Sequence, residues 1–284
     1  MKSTKPTFNL LYYSHSFLIF LAMIISATIN VVLTQQITWG AIILMGLSTF
    51  LTYSIDNLLD WKKDQANYQD EAHLIKKFHK ITYFLIGLSF LGILWFIFST
   101  NTILLVSLVL IGSAVIMTTA RFMAYRKLDR RNPETFAGFI FNRVFVASVW
   151  SIVCVFLPLW YAGIAIDSRA WSVLVYIFPL IFIYAVLWRL EKTESALRKE
   201  ILASPVWWFL KVLSIFAGLW LLSSTIMGRF PIINLFNLLP PIAIFYLLLK
   251  WPRSWENARK DIAWLTFWMV LTCLVSLAGH LIFS

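Results

Sequence analysis

Long apolar runs separated by short charged segments make up most of the chain. Each run approaches or exceeds about 20 residues, the length that a helix needs to cross a bilayer. Transmembrane strands would alternate polar and apolar residues, which these runs do not. The pattern predicts one all-α integral membrane domain over residues 1–284 with nine transmembrane helices, at 9–34, 37–58, 79–98, 101–120, 138–161, 170–189, 205–227, 231–250 and 262–283.

Two local features refine this prediction. The first run is too long and too weakly charged at its start for a cleaved signal peptide, so we expect it to be a span. Pro240-Pro241 interrupts the eighth run and predicts a bend or break there, because proline removes a helical hydrogen bond.

The distribution of positive charge predicts the orientation of these helices. Residues are 60% hydrophobic and 13% charged, and the net charge is +11. With the N-terminus inside, twenty of the 24 Lys and Arg residues fall in inside segments and two, Arg169 and Arg229, in outside segments. This asymmetry follows the positive-inside rule and predicts a cytoplasmic N-terminus. The charge therefore indicates membrane lipids as partners, through their anionic headgroups, and no nucleic acid.

Carboxylates gather on the same predicted side, since Asp167 is the one outside acidic residue of thirteen. Asp56, Asn57, Asp60 and Asp64 end the second run, and the i, i+4, i+8 spacing of the aspartates puts them on one helix face. Mg²⁺ prefers such oxygens together with substrate phosphates. We therefore predict a diphosphate-handling magnesium site at the membrane surface. The alternative is a solvated loop start, which explains Asp64 more readily than the deeper Asp56.

Cations after the fourth span are candidate anion ligands. Arg121, Tyr125, Arg126 and Lys127 lie at the same predicted membrane side as the aspartates. Guanidinium groups bind phosphate oxygens in a bidentate manner, and lysine acts as a point charge. Topology alone also explains positive residues in this loop, so both interpretations stay open.

Two further groups complete the candidates. Asn142 and Arg143 lie just inside the fifth span, where an arginine needs an inward-facing anion or must extend to the interface. Glu191 and Glu194, after the sixth span, are spaced i, i+3 and are expected to share a helix face that holds a second metal ion. An ordinary surface helix with ion pairs is the alternative for this segment.

These patterns resemble the UbiA superfamily of intramembrane prenyltransferases. Members have nine transmembrane helices, an inside N-terminus, an Asn-Asp-x-x-Asp-x-x-x-Asp motif ending the second helix and a second acidic motif after the sixth. The similarity in topology covers the whole chain, whereas the similarity in motifs is confined to short loops. Asp56-Asn57 stands where the family has Asn-Asp, and Asp60 and Asp64 match its spacing.

Two other segments bear on the resemblance. Phe122, Arg126 and Lys127 are similar to the family's Tyr-x-x-x-Lys-Arg element, and Gly138 resembles the glycine that opens the fifth helix. In the second acidic motif, Trp188 and Lys192 occupy positions where the family usually has aspartate.

The resemblance implies a UbiA-like helical bundle that transfers a prenyl group from a prenyl diphosphate to a hydrophobic acceptor, aromatic or lipid. It implies a Mg²⁺ cofactor and an active face on the cytoplasmic side, in a bacterial plasma membrane. The expected metal ligands are Asp56, Asp60, Asp64, Glu191 and Glu194, and the expected substrate contacts are Asn57, Arg121, Tyr125, Arg126, Lys127, Asn142, Arg143 and Lys192.

The altered second motif supports a different function, that of a non-catalytic UbiA-fold protein acting as a lipid-binding or partner-scaffold subunit. A small-molecule transporter agrees less well with the sequence, because charges lie on one membrane side and no paired ionisable groups fall near mid-membrane in both halves.

Overall fold

The computed structural model describes residues 16–64, 69–99, 136–191, 193, 195–252 and 258–283, and for residues 16–17, 56–64, 69–79, 97, 195, 259 and 283 it describes the backbone alone. These parts of the chain contain helices and no strand, so the prediction of an all-α fold is confirmed for them. The elements are α1 (Ser16–Thr34), α2 (Trp39–Asp64), α3 (Gln69–Ser99), α4 (Phe136–Ala162), α5 (Ser168–Glu191), α6 (Ser195–Ala203), α7 (Pro205–Ile226), a 3₁₀ segment (Ile232–Leu238), α8 (Leu239–Lys250) and α9 (Ala258–Phe283).

Eight of the nine predicted spans coincide with described helices. Five stretches are long and apolar enough to cross a membrane: Phe136–Ala162, Ser168–Glu191, Pro205–Ile226, Ile232–Lys250 and Lys260–Ile282. Three shorter apolar stretches lie in α1, α2 and α3: Leu18–Thr34, Trp39–Ile55 and Lys80–Phe96. The predicted span at 101–120 lies outside the described residues. A membrane protein is therefore supported, while the count of nine and the cytoplasmic N-terminus stay predictions.

Helix α5 forms the centre of the bundle. In its apolar stretch 67% of the residues are buried, against 28–44% in the other four long stretches. It packs against α1, α4, α7, α8 and α9. Leu180, Ile183 and Leu187 recur at helical spacing and are fully buried. The outer helices present large apolar side chains, such as Trp208 and Leu219 on α7, as expected for surfaces that contact lipid.

The predicted interruption at Pro240-Pro241 is confirmed. The 3₁₀ segment ends at Leu238, and α8 begins at Leu239 with the prolines in its first turn, where no N–H is required. The 3₁₀ segment packs closely on α9, because a methyl group on Gly279 would overlap Ile233. This close packing brings residues of the 3₁₀ segment next to the bundle interior.

Charged residues fix two helix ends. Asp167 caps α5 by accepting hydrogen bonds from the backbone N–H groups of Arg169 (2.9 Å) and Ala170 (3.0 Å), and its other oxygen accepts one from Arg169 Nε (2.8 Å). Burial by itself raises the pKa of Asp167, but these hydrogen bonds outweigh it and hold the pKa below its ordinary value. Between α8 and α9, Asp261 accepts hydrogen bonds from Lys250 Nζ (2.7 Å) and Trp251 Nε1 (3.1 Å).

Candidate functional site

The aspartate run continues α2 beyond its apolar part. The apolar stretch ends at Ile55, and the helix continues without interruption to Asp64. With a rise of about 1.5 Å per residue, a 26-residue helix is roughly 39 Å long, which exceeds a bilayer core of about 30 Å. The prediction that Asp56, Asp60 and Asp64 occupy successive turns of one helix is confirmed, and their side chains lie outside the described part of the structure.

A cavity opens between the helices close to this end of α2. We call it the inner cavity. Its space is about 510 Å³ with the opening included, and the described residues that line it are twelve, from α1, α2, α4, α5 and α9. Seven of these residues are aliphatic or methionine, and the other five are Tyr53, Arg143, Trp150, Tyr184 and Trp188. An apolar cavity with a few polar groups is typical of a small-molecule site.

Among the described residues that line the inner cavity, Arg143 is the only charged one. Its guanidinium carbon lies 5.8 Å from the centroid of the buried Phe139 ring, a distance that permits a cation–π interaction. The sequence left two orientations open for Arg143, and the structure directs it into the bundle. A guanidinium among apolar walls attracts anions more strongly than one in water, because the surrounding dielectric constant is lower.

Aromatic rings form much of the remaining wall. Tyr53 meets Trp150 edge to face, with centroids 6.1 Å apart, and Tyr184 lies against Trp188 at 6.0 Å. The Tyr184 hydroxyl is 2.7 Å from Thr266 Oγ1, so this ring is held by α9. The wall therefore presents fixed ring faces to any occupant.

The inner cavity and the aspartate run are adjacent along α2. Tyr53 lines the cavity, and Asp56 follows three residues later, within one helical turn. The cavity with its arginine thus begins where the carboxylates of α2 begin.

The other predicted site residues are only partly described. Asn142 is half-buried on α4 beside Arg143. The segment with Arg121, Tyr125, Arg126 and Lys127 lies outside the described residues, as do Lys192 and Glu194.

Helix α5 ends at Glu191, Thr193 forms a bend, and α6 begins at Ser195. Because Glu194 lies outside the described residues, a shared helix face for Glu191 and Glu194 stays a prediction. Thr193 Oγ1 donates to the carbonyl oxygen of Arg189 (2.9 Å), and Arg198 Nη2 donates to that of Thr193 (2.5 Å). These side-chain hydrogen bonds to the backbone support a turn in place of further helix.

Among the described side chains, no three or more His, Cys, Asp or Glu residues come together to bind a metal ion. The predicted ligands Asp56, Asp60 and Asp64 are not among these side chains. Their helical backbone spacing does fit the one or two carboxylates that Mg²⁺ uses together with substrate phosphates.

Sequence reasoning missed the aromatic residues of the inner cavity. Trp188, at a position where the resemblance implies aspartate, is 9% exposed and lines the cavity. With 14 tryptophans in the chain, aromatic residues near span ends are too common to single out those that face inward.

A second space, which we call the outer cavity, adjoins the inner cavity inside the bundle. Its space is about 600 Å³ with the opening included. The described residues that line it are fifteen: fourteen from α1, α5, α7, the 3₁₀ segment, α8 and α9, and Phe230 between α7 and the 3₁₀ segment. None of the fifteen is charged, and five are polar: Thr28, Tyr176, Asn234, Asn237 and Cys273.

Hydrogen bonds to neighbouring helices fix three of these polar residues. Tyr176 donates to the carbonyl oxygen of Asn237 (2.5 Å), and Thr28 Oγ1 lies 3.2 Å from the carbonyl oxygen of Cys273. Asn234 Oδ1 accepts from Ser276 Oγ (2.6 Å). The polar groups of the outer cavity therefore mainly connect helices.

Comparisons of the chain with protein-family models, with curated proteins and with solved structures gave no match.

Proposed function

We propose that the protein is a magnesium-dependent membrane prenyltransferase, which moves a prenyl group from a prenyl diphosphate to a hydrophobic acceptor. The proposal also includes a cytoplasmic active face in a bacterial plasma membrane. One observation carries it: the inner cavity, with Arg143 in its wall, begins one helical turn before the aspartates of α2. This arrangement offers contacts for an anionic diphosphate next to a space for an apolar chain.

Each part of the site has a role in this proposal. Asp56, Asp60 and Asp64 would hold Mg²⁺, which when bound neutralises diphosphate charge and favours its departure. Arg143 contacts a diphosphate oxygen, with a charge that does not depend on pH in the working range. The cation–π attraction of Tyr53 and Trp150 stabilises positive charge that develops on the allylic carbon.

The overall reaction balances without a further reactant. The bond between the first prenyl carbon and the diphosphate oxygen breaks, and the oxygen keeps the electron pair. A nucleophilic atom of the acceptor bonds to that carbon and loses its proton. The apolar walls of the inner cavity exclude water, which would otherwise capture the carbon.

The test compares Asp60→Asn with wild type. Purified protein is incubated with Mg²⁺, with geranyl, farnesyl or geranylgeranyl diphosphate, and with quinone-precursor or lipid acceptors, and released diphosphate and prenylated product are measured. We expect Asp60→Asn to lower turnover roughly a hundredfold, equivalent to about 2.7 kcal/mol of transition-state stabilisation.

Asp167→Asn is the matched control, because it makes the same exchange at the opposite end of the bundle and asparagine caps a helix as well as aspartate does. It should retain wild-type turnover. Absence of turnover together with absence of Mg²⁺-dependent diphosphate binding in wild type would refute the proposed activity.

The second candidate function is a lipid-binding or scaffold subunit that does not catalyse prenyl transfer. Trp188 favours it, because this indole fills part of the inner cavity wall where the resemblance implies a carboxylate. A scaffold subunit should bind lipid equally well with aspartate or asparagine at position 60. The Asp60→Asn comparison therefore separates the two candidates.

A further inference from the structure

Two side chains line both cavities. Ile25 of α1 and Met269 of α9 belong to the wall of the inner cavity and to the wall of the outer cavity. They are 1% and 3% exposed, so the two spaces meet at buried side chains inside the bundle. Helices α1 and α9 pack together here, and Thr28 of α1 contacts the Cys273 carbonyl oxygen of α9 nearby.

The chemistry of the two walls differs on either side of this pair. The inner cavity contains Arg143, whereas the fifteen residues of the outer cavity include no charged side chain. An ionised group would lose its hydration there without compensation, so the outer cavity excludes charged ligands. The space between these walls, about 600 Å³ with its opening included, is bounded almost entirely by apolar atoms.

We propose that the outer cavity receives the distal part of a long isoprenoid chain whose diphosphate end is bound in the inner cavity, and that Ile25 and Met269 control passage between the two. The inference rests on the proposed function and extends it to chain length. A short chain ends within the inner cavity, whereas a longer chain must pass the two side chains.

Shape, more than the hydrophobic effect, sets this preference. Lipid tails are as apolar as the cavity wall, so an isoprenoid gains little from leaving one for the other. A chain that fits the outer cavity gains packing contacts, and one that meets a blocked cavity must bend or stay outside. Methionine is well suited to the passage, because its unbranched side chain adopts several shapes.

The test blocks the outer cavity without altering the inner one. Val173 lines the outer cavity only, and Val173→Phe fills part of it. Val175→Phe is the matched control, two residues along α5, at a half-buried position that lines neither cavity. Binding of geranyl and geranylgeranyl diphosphate, and of the alcohols geraniol and geranylgeraniol, is measured by native mass spectrometry with Mg²⁺ present.

We expect Val173→Phe to lower the affinity for geranylgeranyl diphosphate about tenfold, or ~1.4 kcal/mol, and to leave that for geranyl diphosphate unchanged. Val175→Phe should keep the wild-type ratio. Met269→Ala, which widens the passage, should shift the ratio in favour of the longer chain. The same ratio in wild type, Val173→Phe and Met269→Ala would overturn the inference.

The alcohols separate this inference from the proposed activity. If neither diphosphate binds but geranylgeraniol binds and is lost in Val173→Phe, the prenyl transfer proposal fails, while the outer cavity is confirmed as an isoprenoid site. If diphosphates bind and turn over with no length effect of Val173→Phe, the activity stands and the inference fails. Failure of all four ligands to bind wild type overturns both.

Discussion

The inner and outer cavities are neighbours in one helix bundle, and the polar side chains in their walls differ in kind. The inner cavity places one arginine among aromatic rings, at the end of the bundle where α2 continues into its aspartates. The outer cavity contains neutral polar groups, several of which hydrogen-bond between helices. In the two cavity walls, the charged side chain lies beside the candidate chemistry, whereas the neutral groups of the outer cavity mainly connect helices.

The largest expected effect tests whether the inner cavity selects anions. Replacing Arg143 by leucine removes the one charge among the described lining residues, and we expect geranyl diphosphate binding to fall roughly 30-fold, or about 2 kcal/mol, while geraniol binding stays unchanged. The affinity of Arg143→Lys for geranyl diphosphate should lie between those of wild type and Arg143→Leu, because lysine retains the charge but loses bidentate geometry. Titration of both ligands in detergent provides the measurement.

Arg169→Leu is the control for that experiment. Arg169 is a half-exposed arginine at the start of α5, whereas the inner cavity lies near the end of that helix. It should bind both ligands as wild type does. Equal losses of geraniol and geranyl diphosphate in Arg143→Leu would mean that Arg143 shapes the cavity and does not select charge.

A smaller effect tests whether the outer cavity's polar groups serve architecture. Asn234→Leu removes the acceptor of the buried Ser276 hydroxyl, and we expect it to lower the free energy of unfolding by about 1–2 kcal/mol. Asn237→Leu is the matched control. The Asn237 side chain makes no hydrogen bond within the described residues, and its backbone carbonyl still accepts from Tyr176. Thermal unfolding in detergent measures both variants.

For Asn237→Leu we expect the free energy of unfolding to change by less than about 0.5 kcal/mol. Equal destabilisation of the two variants would contradict the distinction between them, because it would show that loss of either carboxamide disturbs the cavity wall in the same way.

The smallest effect concerns Asp167, a carboxylate at the surface and outside both cavities. Because its pKa is lowered in the folded protein, its stabilising contribution is present above the pKa of the unfolded chain, near 3.8, and is lost as pH falls through the lower folded value. Side-chain exposure of 42% keeps this contribution below about 1 kcal/mol.

Melting temperatures of wild type and Asp167→Asn at pH 7 and at acid pH measure the contribution of the ionised Asp167 carboxylate to stability. Wild type should lose slightly more stability on acidification than the variant, whose cap does not titrate. A larger acid loss in the variant would contradict the sign of the pKa shift.

Sequence alone predicted an all-α membrane protein and the helical spacing of the aspartates at the end of α2. Apolar runs of spanning length require backbone hydrogen bonds within each segment, so they predicted helices independently of the neighbours. The same local rule predicted that Asp56, Asp60 and Asp64 lie along one helix, and that Pro240-Pro241 interrupts the eighth span.

Only tertiary structure decided which side chains face one another. Apolar spans are hydrophobic on every side, so their sequence does not mark the face that points inward. The choice between membrane interface and bundle interior for Arg143, the inward position of Trp188 and the meeting of the cavities at Ile25 and Met269 all depend on packing between distant segments. The end of α5 at Glu191 is likewise accompanied by hydrogen bonds of Thr193 and Arg198 that residue spacing does not encode.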